Sequence, residues 1–212
     1  IIEEDIYQGR VLGALGNVKF LSFLSTNIYV FRAIEILIML CTIGVFGLFV
    51  FKAFNDRKMA AFSVILTLVF LPITFEHAVP NAFVIVVCQP LLLLLLSLIA
   101  YLQYLEMDKK RYIVASCLLF FWGCCLYEFV VTYILLFIAI AFLKQIKRFA
   151  DVAKKSLPHV VTAVIYLICY VLQGKIFPTN YSGTELNIFN IRGILQVLKI
   201  EWMSALPGYY LF

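Results

Sequence analysis

Residues 112–143 read YIVASCLLFFWGCCLYEFVVTYILLFIAIAFL, and this stretch decides the fold. Lys109, Lys110 and Arg111 precede it, and Lys144, Lys147 and Arg148 follow it. Basic clusters in short loops mark the cytoplasmic side of a membrane. A stretch that leaves one side and returns to it crosses an even number of times. As one helix its 32 residues would reach ~48 Å and emerge on the wrong side. Two short helices of ~15 residues, each ~22 Å long, satisfy both demands. They are predicted to meet near residues 123–128, which puts Tyr127 and Glu128 at an outward-facing tip.

The rest of the chain agrees with a lipid environment. Of its 212 residues, 64% are apolar and 14% charged, and the mean hydropathy is +1.02. A soluble domain carries roughly 45–50% apolar and 25% charged residues. A core built from a chain of this length cannot hide the excess from water. Four further apolar runs cover residues 28–51, 60–75, 82–105 and 160–172. Lipid admits only helices or closed barrels, and these runs lack the alternation of barrel strands. The predicted fold class is therefore all-α: a polytopic membrane protein with four full spans and one short helical pair.

Charge sets the orientation. Lys52, Arg57 and Lys58 follow the first run, and Lys154 and Lys155 extend the cluster after residue 143. With residues 109–111 these groups are assigned to the cytoplasm, which leaves 1–27, 76–81 and 175–212 outside. The net charge of +5 suits this orientation better than nucleic-acid binding. Three regions result: 1–27 as an outer loop, 28–174 as the transmembrane domain, and 175–212 as an outer segment leading to further membrane sequence. Apolar residues at 11, 12, 15, 18 and 21 suggest an interfacial helix, with a frayed loop as the other reading. The start at Ile1 and the end at Leu211-Phe212, inside apolar sequence, suggest a fragment of a longer polytopic protein.

Polar residues in such a chain need reasons. Glu128 has no basic side chain within ten residues on either side. An ionisable group at membrane depth is a site hypothesis by default. Glu128 either contacts a polar substrate or metal in a cavity, or reaches the interface or caps a helix. Arg32 and Glu35 have the spacing of an intrahelical ion pair, and a cavity-facing pair is the alternative. Glu3, Glu4 and Asp5 offer carboxylates for base catalysis or a divalent metal, or are simply solvated. Glu76 and His77 lie in the neutral outer loop and suit acid–base or metal work, or none. Tyr181, Arg192 and Lys199 in the last segment fit phosphate or sugar hydroxyls, or an interfacial belt. The six cysteines lie in apolar runs without zinc spacing and read as small packing residues. There is no phosphate-binding Gly loop, nucleophile elbow or dinucleotide fingerprint.

Four segments in order, YQGRVLGALGN at 7–17, LYEFVVTYILLF at 126–137, FPTNYSG at 177–183 and MSALPGYYL at 203–211, carry a resemblance. The chain resembles bacterial polytopic membrane glycosyltransferases of the GT-C superfamily, including O-antigen glucosyltransferase-like families. The resemblance implies an enzyme of the bacterial cytoplasmic membrane with its active face outward. It implies transfer of a sugar from a polyprenyl-phosphate donor to a lipid-linked or cell-surface glycan acceptor. An acidic residue of the first outer loop acts as base in such enzymes, in some with a divalent metal (Mg or Mn). That makes Asp5 and Glu4, with Glu128, the catalytic candidates. In the family the acidic pair stands further upstream of the Gly-Arg segment than here, so the base is either one of these or a residue before Ile1. Arg10, Tyr127, Glu76, His77, Tyr181, Arg192 and Lys199 are the substrate-binding candidates, and the cations among them suit the carrier phosphate. A multi-pass transporter or flippase, or a non-catalytic scaffold of surface-polysaccharide assembly, is the alternative.

Overall fold

The computed structural model describes residues 28–70, 84–144 and 149–176. All regular structure among them is helical: α1 (Ile28–Phe54), α2 (Arg57–Phe70), α3 (Val84–Met107), α4 (Lys110–Leu126), a 3-10 turn (Glu128–Tyr133), α5 (Ile134–Leu143) and α6 (Phe149–Ile176). Three helices are long and apolar enough to cross a membrane: Ala33–Phe54, Cys88–Met107 and Phe149–Gln173. The expectation of four full spans is thus met for three. The run at 60–75 forms a helix of 14 residues, Arg57–Phe70, and its remainder lies outside the described residues. The last run differs too. It was placed at 160–172 with Lys154 and Lys155 in a loop, yet α6 begins at Phe149 and carries both lysines. Lysine is a good helix former, so a membrane helix extends its polar turns into water without cost.

Two tight connections explain how the helices pair. Asn55 and Asp108 have φ of 55° and 52°. Asn and Asp are the side chains that tolerate this left-handed region, and here they close helix C-termini. The Asn55 N–H donates to Phe51 O at 2.7 Å, and the Asp108 N–H donates to Tyr104 O at 2.8 Å. Asp56 then starts α2, its Oδ1 accepting from the backbone N–H of Lys58 at 2.8 Å. Each connection is two residues long, so α1–α2 and α3–α4 are antiparallel pairs. Gly47 of α1 lies against Val64 of α2, and a Cβ at Gly47 would meet Val64 Cγ2 at 2.6 Å.

The stretch that decided the topology folds as a returning pair, with one correction. Its first leg, α4, has 17 residues and spans about 26 Å. The second leg is not one helix: six residues of 3-10 turn precede the ten of α5, together about 27 Å. The legs are thus equal in length, and both return to one end of the bundle. There Lys144 Nζ donates to Glu106 Oε1 at 3.0 Å and to Lys52 O at 3.1 Å, and Lys155 lies 3.6 Å from Asp108. The starts of α2, α4 and α6 and the ends of α1, α3 and α5 all share this basic end. The core between them centres on Leu94, Leu98, Tyr101, Phe120, Phe137 and Tyr166. All six cysteines are free thiols, as their apolar settings suggested.

Candidate functional site

Two polar places interrupt the apolar bundle. The first is the tip. Tyr127 leaves α4 in an extended conformation, φ −151° and ψ 113°, and Glu128 opens the 3-10 turn. Val130, Val131 and Thr132 are three β-branched residues in a row, stiff at χ1 and poor continuers of an α-helix. The turn packs against α3 at Pro90, where proline interrupts the helix hydrogen bonding. Gly123 permits this approach: a Cβ there would lie 3.4 Å from Val130 Cγ1 and 3.5 Å from the Pro90 carbonyl oxygen.

A pocket of about 250 Å³ opens between Pro90, Leu91 and Leu94 on α3 and Tyr127, Phe129 and Tyr133 of the tip. Leu91, Leu94 and Tyr133 also line a second cavity of about 420 Å³. That second space is almost wholly apolar and reaches Ile43, Phe46 and Phe49 on α1. Glu128 and Tyr127 are half-buried at the tip. On α6 the Tyr166 and Tyr170 ring centroids are 6.2 Å apart, and Tyr127 packs against the core cluster that includes Tyr166. Tyrosine rings lining an apolar pocket can cover the faces of a ring-shaped polar molecule, and a carboxylate in the same turn can accept a hydroxyl proton.

The second place is closed. Ser97 Oγ donates to Ser116 O at 2.7 Å, and Ser116 Oγ donates back to Ser97 O at 2.8 Å. Each hydroxyl has one hydrogen, so both are spent on backbone. Ser116 Oγ, 2.8 Å from His159 Nε2, is then an acceptor, which assigns the ring proton to Nε2. Nδ1 remains as a buried acceptor with no partner among the described residues. The opposite tautomer would bury an unmatched N–H there. The imidazole stacks on Phe137 with ring centroids 3.8 Å apart, and Tyr101 meets its edge at 4.9 Å. Tyr101 OH and Ser156 Oγ share a further hydrogen bond of 3.1 Å. Ser97, Ser116 and His159 are fully buried.

Of the residues singled out by sequence, Tyr127 and Glu128 are brought together at the tip. Glu4, Asp5, Arg10, Glu76, His77, Tyr181, Arg192 and Lys199 lie outside the described residues, as do Glu3, the interfacial helix and the outer segment. Glu35 has a fully buried side chain, and the Arg32 side chain is outside those described. The His159 cluster was missed. Its signal was present as two serines and a histidine inside apolar runs, but only the fold shows that they converge. No group of three or more metal-ligating side chains occurs among the described residues. No protein-family model, curated protein or solved structure matches the chain.

Proposed function

We propose that this chain is an integral membrane protein of the bacterial cytoplasmic membrane. On this reading it transfers a sugar from a polyprenyl-phosphate donor to a lipid-linked or cell-surface glycan on the outer face. The observation that supports the reading is the tip: Tyr127 and Tyr133 line a pocket, Tyr133 also lines the larger apolar cavity, and the half-buried Glu128 follows Tyr127 in the same turn. The donor has the same two halves. Its isoprenoid chain suits the apolar cavity, and its sugar suits Tyr127, Glu128 and Tyr133. Glu128 then takes the proton of the acceptor hydroxyl as that oxygen bonds to the anomeric carbon. The bond from that carbon to the carrier phosphate breaks, and the phosphate leaves with its charge met by cations such as Arg10, Arg192 or Lys199.

Depth favours this over transport. Glu128 opens the turn directly beyond a leg of about 26 Å, close to the far boundary of a ~30 Å hydrocarbon core. Transporter sites lie near the bilayer midplane, at about half that depth. Mass spectrometry of surface glycans tests the reading. Loss of one sugar unit without the gene, restored by wild type and not by Glu128→Gln, supports it. An unchanged glycan profile in the cell lacking the gene overturns it.

A further inference from the structure

A third surface belongs to neither polar place. A groove of about 590 Å³ runs along the outside of the bundle between α4 and α6. Val114, Leu118 and Phe121 form one wall and Leu157, Val161 and Ile165 the other. Four of these are strongly exposed: Val114 at 56%, Leu118 at 65%, Leu157 at 55% and Ile165 at 49%. The Thr162 hydroxyl donates to Pro158 O at 2.8 Å, so it offers no hydrogen to the groove. Both helices begin at the basic end, so the groove has one basic mouth and runs from it for about 12 Å along residues 113–121 and 157–165.

Helical spacing puts two lysines at that mouth. Lys110 stands three and four residues before Ile113 and Val114, and Lys154 stands three and four before Leu157 and Pro158, all four lining the groove. Lys144 is paired with Glu106, Lys155 with Asp108, and Arg111 lies over the Tyr112 ring, while Lys109 precedes α4. Lys110 and Lys154 are exposed and form no ion pair among the described residues. Asp151 lies a turn further out on α6. The Lys155–Asp108 bridge, 3.6 Å, holds the first turns of α6 against the residues just before α4, so Lys110 and Lys154 stand on the same end of the bundle. The first turn of α4 has no side-chain cap, so its N–H groups add positive potential there.

We propose that this groove binds an anionic phospholipid of the surrounding membrane, with one acyl chain along the apolar walls and the phosphate between Lys110 and Lys154. This rests on the reading of the chain as a membrane protein and not on glycosyl transfer. An exposed apolar groove in lipid is always covered by chains. The paired charge at one mouth is what selects among headgroups. A lysine near an anionic surface is worth about fivefold in affinity, so two predict a preference of roughly 25-fold over a neutral lipid.

Trp122, next to Phe121 on α4 and 51% exposed, is the reporter. The full chain with Trp202→Phe is reconstituted in phosphatidylcholine vesicles and titrated with brominated phosphatidylglycerol or with brominated phosphatidylcholine of the same chains. Saturable quenching of Trp122 by the anionic lipid, with a preference of tenfold or more, is the expected result. In Lys110→Gln/Lys154→Gln the preference falls to about one, while Lys175→Gln, at the other end of α6, keeps it. Val161→Phe, which fills the groove, removes the saturable component, and circular dichroism checks that each variant keeps its helix content. Equal quenching by both lipids, or a preference that survives the double lysine change, overturns the proposal. So does a protein dimer that shields Trp122 from either lipid, since it assigns the groove to a second copy. Failure of the wild type to insert at all overturns the membrane reading itself.

Discussion

The closed cluster at Ser97, Ser116 and His159 and the open tip at Glu128 are both polar places in an apolar bundle, and they differ in their access to a cavity. In the closed cluster every hydroxyl hydrogen and the ring N–H have protein partners, and aromatic rings seal the imidazole. At the tip two tyrosines, Tyr127 and Tyr133, border a pocket, and Glu128 sits half-buried next to Tyr127 in the turn. A polar group inside lipid-facing structure that is satisfied by its own chain ties helices together. One that borders a cavity can serve a substrate. The contrast marks His159 as structural and leaves the tip as the place where the proposed chemistry would occur.

The comparison can be broken by experiment. Glu128→Gln keeps the shape and removes the base, so turnover is expected to fall about 10²–10⁴-fold, the usual worth of a general base. Protein level and thermal stability should stay at wild-type values. If turnover is unchanged, the tip is not the site. His159→Leu should do the reverse, lowering stability by about 1–3 kcal/mol through the lost hydrogen bond and ring stacking. Thermal unfolding in detergent reads this directly, and turnover well below the transition should hold. Lost turnover with an unshifted transition would make the closed cluster a site and erase the distinction. Tyr101→Phe removes one hydroxyl beside the same cluster. Its cost should be near 0.6 kcal/mol, the average for hydrogen bonds between membrane helices. The smallest effect belongs to the surface pair: Lys144→Gln should change stability by about 0–1 kcal/mol, because Glu106 and Lys144 are both partly exposed.

The topology behind this contrast has its own test. Single cysteines introduced near 78 and 185 should react with a membrane-impermeant reagent from outside, and those near 56, 108 and 150 should not. Reaction at 150 from outside would put the two legs of the returning pair on opposite sides.

The bundle's basic end was readable because charge is local: the clusters sit at helix ends beside short connections, and counting crossings between clusters forces residues 112–143 to return. The tip was readable only in outline. Its position followed from that count, but the 3-10 turn did not, since no Gly or Pro falls between Tyr127 and Tyr133. Three β-branched residues were the one local hint. The start of α6 was hidden because Lys154 and Lys155 look alike in a loop and in the wet turns of a helix. His159 was hidden for another reason. Its partner Ser116 lies 43 positions away, and Ser116's own partner Ser97 a further 19, and spacing along one helix cannot report a meeting of three.

The two-residue turns at Asn55 and Asp108 bear on how the chain enters a bilayer. Two residues reach at most about 7 Å, far short of the ~30 Å core. The end of α1 therefore cannot stay on one side while α2 starts on the other, and the same holds for α3 and α4. A pair that enters lipid therefore enters as one hairpin. A change of charge at these turns can invert a pair or stall it, but it cannot turn a single helix around.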